Sequence, residues 1–253
     1  MEHRFGSGGN LLAGHLARPP VRADVSQVPA VILVHGYPSD VHSATEAAAA
    51  LPELADRIAA EMGWLAFVVG LRGCAGSEGS FSLAGWLADL QAAVAHLRTT
   101  EAVSGVWVAG FGTGGAVAVC AAAANPAIEG IATLGAPADF DDWAGHPRRL
   151  LEHARDVGMI DDPLFPSSLE AWARELRELR PVAQAPKVAP RALLVIHGSD
   201  DDLVPAFDAR VLADAHGSAE LRIIRGAGHR LRHDPRAVAV LLGWLGRQQN
   251  RRR

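Results

Sequence analysis

The chain has 253 residues, 49% of them hydrophobic and 21% charged, with a net charge of -4. That length suits one α/β domain with an insertion, and the composition provides for a large core and argues against disorder. Basic and acidic residues are mixed along a mildly acidic chain, which argues against nucleic acid as the main partner.

The first 20 residues read as a hairpin: Arg4-Phe5, a turn over Gly6-Ser7-Gly8-Gly9-Asn10, then Leu11 to Ala17. Ala30 to His35 (AVILVH) is a continuous apolar run, the pattern of a strand buried on both faces. Ala44 to Met62 reads as helical, with Pro52 breaking or starting one of its parts. Leu65 to Leu71 is the next buried strand, and Ser82 to Leu97 an amphipathic helix. Gly105 to Gly110 is a strand, followed by a small-residue helix over Gly114 to Ala124 and a strand over Ile128 to Leu134.

From Ala138 to Pro190 no strand is expected. Pro, Asp and Arg clusters surround two helical stretches, Pro147 to Val157 and Ser168 to Leu179, so this segment reads as an inserted helical cap. Strands resume at Ala192 to His197 and Glu220 to Arg225, followed by helices at Ala206 to His216 and Pro235 to Gln248. The alternation predicts an α/β fold: a mostly parallel sheet of about eight strands with helices on both faces. The core is then 1–137 and 191–253, interrupted by the cap at 138–190.

Cys74 and Cys120 are the only cysteines, too few for a disulfide framework and without metal-ligand spacing. The opening residues lack the apolar run of a signal peptide, and no stretch is long and apolar enough to span a bilayer. A cytoplasmic location is therefore expected, with no metal, no cofactor and no membrane partner. Arg251-Arg252-Arg253 reads as a solvated end, and the scarcity of lysine (Lys187 alone) as compositional bias.

Four segments fall at strand C-terminal ends, where α/β folds place their chemistry. They are His35-Gly36-Tyr37-Pro38, Arg72 to Gly79 (RGCAGSEG), Gly110-Phe111-Gly112-Thr113-Gly114-Gly115, and the pair His197 to Pro205 (HGSDDDLVP) with Gly226-Ala227-Gly228-His229. Each alone is an ordinary turn or loop. The third is also a literal dinucleotide fingerprint, Gly110-x-Gly112-x-x-Gly115. Against that reading, the fingerprint normally opens a sheet, whereas several strands precede it here. The acid expected about 20 residues later is replaced by Leu134-Gly135-Ala136, and the other three segments stay unexplained.

Taken in order, the segments resemble the α/β-hydrolase superfamily, in particular small bacterial serine hydrolases of the esterase, thioesterase and aminopeptidase type. The resemblance spans almost the whole chain. It implies that His35-Gly36 belongs to the oxyanion loop, with the backbone N–H groups of Tyr37 and Thr113 as donors. It implies that Asp201 is the acid and His229 the histidine of a triad, in the chain order that the fold uses. Asp200 and Asp202 compete with Asp201, and His233 with His229. It also implies a small-molecule substrate or ligand.

The departure is at the elbow. The family pattern is G-x-S-x-G, and Gly110, Gly112 and Gly114 stand here in its three fixed places, with glycine where the nucleophile is expected. Glycine accepts the strained backbone of an elbow freely but carries no oxygen, so no acyl-enzyme can form on it. Thr113, Cys74, Cys120, Ser39 and Ser77 are the candidate substitutes, and each has another reading: a β-branched residue that would put Phe111 in the crowded position two residues before the nucleophile, packed thiols, and turn serines. Four functions remain open: an enzyme that uses Asp201 and His229 without a covalent step, a non-catalytic ligand-binding or regulatory homologue, an inactivated serine hydrolase, and the dinucleotide binder.

Overall fold

A computed structural model describes residues 1–20, 26–38 and 44–250. Ser39 and Arg251 to Arg253 lie outside them. The apolar runs form one eight-stranded sheet: β1 (Glu2–Ser7), β2 (Asn10–Ala17), β3 (Val28–Val34), β4 (Leu65–Val69), β5 (Val103–Phe111), β6 (Ile128–Leu134), β7 (Ala192–Gly198) and β8 (Glu220–Ile224), in the order β1-β2-β4-β3-β5-β6-β7-β8. β1 pairs antiparallel with β2, and β2 with β4; from β4 to β8 all pairings are parallel.

The central strands are buried on both faces, which is why they read as unbroken apolar runs. Along β3, Ala30, Ile32 and Val34 pack into one layer and Val31 and Leu33 into the other. α2 (Leu83–Thr100) and α3 (Thr113–Ala124) cover the first face together with α8 (Ala206–His216). α1 (Leu51–Met62) and α9 (Pro235–Asn250) cover the second. Apart from Thr113 at its start, α3 is apolar and is buried along nearly its whole length, as a helix without a polar face must be.

Two helix assignments differ from the sequence reading. The expected helix over Ala44 to Met62 begins only at Leu51; Ala44 to Ala50 form turns, and Pro52 sits in the first helical turn, where its missing N–H costs nothing. Between β6 and β7 there are four helices rather than two: α4 (Asp141–Gly145), α5 (Pro147–Asp156), α6 (Leu169–Glu178) and α7 (Pro181–Val188). α4 is too short to show a period. α7 carries Pro181 at its start and Pro186 inside it, which hid it from a reading by propensity. α7 packs against α3 and α8 in the layer over the sheet, whereas α4, α5 and α6 pack on one another.

No helix among the described residues is long and apolar enough to cross a membrane.

Candidate active site

Parallel strands deliver their following loops to one edge of the sheet. His35 ends β3 there. It is buried, accepts a hydrogen bond from the Leu71 N–H at 3.0 Å through Nε2, and so donates from Nδ1 to the Gly36 carbonyl at 2.8 Å. It thereby ties the loop after β3 to the loop after β4. Burial pushes its imidazole down to about 4; the Gly36 carbonyl opposes that shift and the Arg232 charge adds to it.

The turn from β5 into α3 is set by three close approaches. A Cβ on Gly110 would lie 2.4 Å from the Gly114 carbonyl oxygen, one on Gly114 would lie 2.2 Å from the His35 carbonyl oxygen, and one on Gly115 would lie 2.8 Å from the Gly110 carbonyl oxygen. Those glycines are demanded by space, which accounts for two of the three fingerprint glycines, Gly110 and Gly115. Gly112 differs. Its backbone sits at φ 51°, ψ -126°, the strained conformation of a tight elbow, yet a Cβ there would meet only His229 Nε2 at 3.3 Å and the Gly36 Cα at 3.7 Å.

His229 lies in the loop after β8. Its Nδ1 is 2.9 Å and 3.1 Å from the two carboxylate oxygens of Asp201, whose side chain is fully buried. With Nδ1 donating to a carboxylate, the neutral ring turns its Nε2 lone pair toward Gly112. Asp201 also accepts the N–H groups of Leu203 (3.0 Å) and Val204 (2.9 Å). Burial alone would raise its pKa; hydrogen bonds from His197, His229 and Val204, with the His229 charge, outweigh that and hold the carboxyl well below its usual range. Gly135, at φ 67°, brings bare backbone against this pair: a Cβ there would lie 3.4 Å from His229 Nδ1.

Gly36 and Gly112 lie side by side, a Cβ on Gly112 falling 3.7 Å from the Gly36 Cα, and Tyr37 and Thr113 are the residues that follow them. Neither N–H has a hydrogen-bond partner among the described residues. The Tyr37 side chain turns away from the elbow; its hydroxyl meets His153 Nδ1 on α5 at 3.1 Å, and its ring packs on Phe81 and Trp143. Trp172 donates to the Phe81 carbonyl at 3.2 Å and Trp143 stacks on Phe140, so these aromatic residues pack α4, α5 and α6 onto the body.

The structure thus brings Gly112, Asp201, His229, Tyr37, Thr113 and the flanking Gly110 and Gly114 together. It leaves their competitors elsewhere. Asp200 and Asp202 are exposed, Asp200 holding the Ser199 hydroxyl. His233 is exposed and accepts from Arg232 Nε at 3.0 Å. Ser77 spends its hydroxyl on the Ala13 N–H and the Gly70 carbonyl. Cys74 and Cys120 are buried; burial raises both thiols, Cys120 to about 12, away from the nucleophilic thiolate. One participant was passed over in the sequence: His197, fully buried on β7, whose Nε2 is 3.2 Å from Asp201 Oδ2. Its signal was the four-residue spacing to Asp201. No group of three or more metal-ligating side chains occurs among the described residues.

A cavity of about 710 Å³ opens beside His229, lined by Asp202, Leu203, Gly226 to Arg230 and His233 to Pro235.

The family model described as "Alpha/beta hydrolase family" matches residues 31–241. Est1E from Butyrivibrio proteoclasticus superposes with a TM-score of 0.72 at 19% identity, covering 99% of this chain and 98% of that one. The esterase domain from a Rhodothermus marinus protein gives 0.69 at 20% identity, covering 99% and 98%. Acylaminoacyl peptidase from Pyrococcus horikoshii gives 0.70 at 18% identity, covering 99% of this chain and 41% of that one. At such identities the likeness is one of fold. No curated protein matches the sequence. With five parallel pairings and a family model that spans residues 31–241, the chain belongs to the alpha/beta hydrolase family.

Proposed function

We propose that the chain is a hydrolase-type enzyme, acting on the ester, thioester or amide bond of a small molecule, in which Gly112 occupies the nucleophile position and no acyl-enzyme forms. The observation that carries this reading is the Asp201–His229 pair, hydrogen-bonded at 2.9 Å, whose Nε2 faces the elbow from which the nucleophilic oxygen is missing. A binding module has no need of an oriented imidazole backed by a buried carboxylate.

In this mechanism water stands over Gly112 where a serine hydroxyl would have been. His229 Nε2 takes a proton from it as the oxygen adds to the carbonyl carbon. Asp201 stabilises the resulting imidazolium and keeps its tautomer fixed. The N–H groups of Tyr37 and Thr113 hold the developing oxyanion. The proton then passes from His229 to the departing alcohol, thiol or amine. Of the segment 138–190, α4, α5 and α6 are read as the cap over this edge of the sheet, whereas α7 belongs to the helical layer on the body. Expected rates are modest: triad enzymes that lose a member keep about 10³–10⁴-fold catalysis over water, from binding and the oxyanion donors.

The test is a panel of aryl esters and thioesters given to the native protein, Gly112→Ser and His229→Ala. Turnover by the native protein that His229→Ala abolishes supports the proposal. Activity confined to Gly112→Ser makes the chain a disarmed serine hydrolase.

A further inference from the structure

We infer that His197 is a second imidazole on the catalytic carboxylate, a positioning residue that fixes the rotation of Asp201 and so aims His229 at the elbow. The inference deepens the proposed reaction and rests on the same site.

His197 lies on β7 with no exposed surface. Its Nε2 has two acceptors in reach, the Val204 carbonyl at 2.9 Å and Asp201 Oδ2 at 3.2 Å. Both accept only, so Nε2 must carry the proton; it is hydrogen-bonded to the Val204 carbonyl, with Asp201 Oδ2 alongside at ion-pair distance. The Val204 N–H returns a bond to Asp201 Oδ1 at 2.9 Å. His197, Val204 and Asp201 therefore close a ring, with both backbone groups of Val204 engaged.

The two Asp201 oxygens consequently receive three hydrogen-bond donors, the Leu203 and Val204 N–H groups on Oδ1 and His229 across both, and His197 Nε2 lies 3.2 Å from Oδ2. The carboxylate is gripped from β7, from its own turn and from the β8 loop, while the backbone of Gly135 closes the remaining side. The His197 contact adds a hold from β7 to those of the Asp201 turn and of His229.

The other nitrogen makes the role selective. His197 Nδ1 is buried and has no hydrogen-bond partner among the described residues. A side chain kept only to fill the strand interior would be apolar and would leave no orphan nitrogen. The imidazole is retained for what Nε2 does. Its own charge balance agrees: burial pushes its pKa down, and the Asp201 hydrogen bond, the Val204 carbonyl and the Asp201 and Asp208 charges more than reverse that.

The experiment is NMR on the full chain labelled with ¹⁵N-histidine and ¹³C-aspartate, which reads the hydrogen bonds without reference to turnover. The low-field proton on His229 Nδ1, assigned by its loss in His229→Ala, reports the bond to Asp201. In His197→Phe this proton is expected to vanish or broaden, and the acid midpoint of the Asp201 carboxyl carbon to move to higher pH. In His197→Gln, whose amide N–H can replace Nε2–H, both are expected to stay near their native values. Unchanged signals in His197→Phe would overturn the inference, as would equal loss in both variants, the mark of a merely structural residue. If His197→Phe does not fold, the native spectrum decides: ¹⁵N shifts that place the His197 proton on Nε2 support the inference, and a proton on Nδ1 alone overturns it. Failure of esterase assays with these signals intact would count against the proposed reaction and not against His197.

Discussion

A Cβ placed on Gly112 would lie 3.3 Å from Nε2 of His229, closer than any other atom outside its chain neighbours. The elbow therefore faces the imidazole directly, and a small side chain fits there with a shift of a few tenths of an ångström. Backbone strain at φ 51° is what a non-glycine residue would meet. Gly112→Ala should fold and lose about 1–3 kcal/mol in urea denaturation. Gly110→Ala and Gly114→Ala, whose Cβ atoms would press on backbone at 2.4 Å and 2.2 Å, should lose more than that or fail to fold. Equal losses at all three positions would mean that space does not separate Gly112 from its neighbours.

General-base catalysis should depend on both members of the pair. His229→Ala and Asp201→Asn are each expected to lower the hydrolysis rate of an activated ester by about 10²–10⁴-fold. Asp201→Asn matters because an amide can leave the ring in the wrong tautomer. Steady-state rates at neutral pH check this, with Asp200→Asn and Asp202→Asn as exposed controls that should keep native rates.

His35 makes stability depend on pH. Its folded pKa of about 4 lies below the unfolded value of 6.5. Above 6.5 neither state is protonated and the residue contributes no pH dependence. As pH falls from 6.5 toward 4 the unfolded chain takes up a proton that the native one refuses, so stability drops, by roughly 3 kcal/mol in all. Urea melts between pH 7 and 4.5 should show a shallower loss in His35→Gln, which keeps an acceptor for the Leu71 N–H. An unchanged slope would contradict the assignment.

The glycine-rich loop after β4 is anchored by a buried ion pair. Asp89 on α2 has no exposed surface and receives Arg72 through Nη2 at 2.6 Å, Nε at 3.0 Å and the backbone N–H at 2.9 Å, with the Ser7 hydroxyl at 2.7 Å. Asp89→Ala strands the guanidinium and should cost about 3–5 kcal/mol, whereas Arg72→Met with Asp89→Leu should recover part of the loss. Thermal melts of the single and double variants test this.

Much of this was legible because buried parallel strands carry their own signature. β3, β5, β6 and β7 read directly from apolar runs, and the order of Gly36, Gly112, Asp201 and His229 follows the order of the strands. Asp201 was separable from Asp200 and Asp202 only by motif register; the fold distinguishes them by burying one carboxylate and exposing two. α7 escaped because two prolines in eight residues oppose helix propensity, while packing against α3 and α8 overrides it. His197 escaped because its place beside Asp201, four positions on, depends on a turn whose shape no periodicity encodes.

The central claim is that position 112 is the nucleophile site and that no other residue has taken its role. A fluorophosphonate probe followed by intact-mass analysis and peptide mapping tests it most directly. The account predicts no adduct on the native protein and a single adduct at position 112 in Gly112→Ser, abolished when His229→Ala is added. Labelling of the native protein at Thr113, Cys74, Ser39 or any other residue, or a folded Gly112→Ser that stays unlabelled, would contradict it.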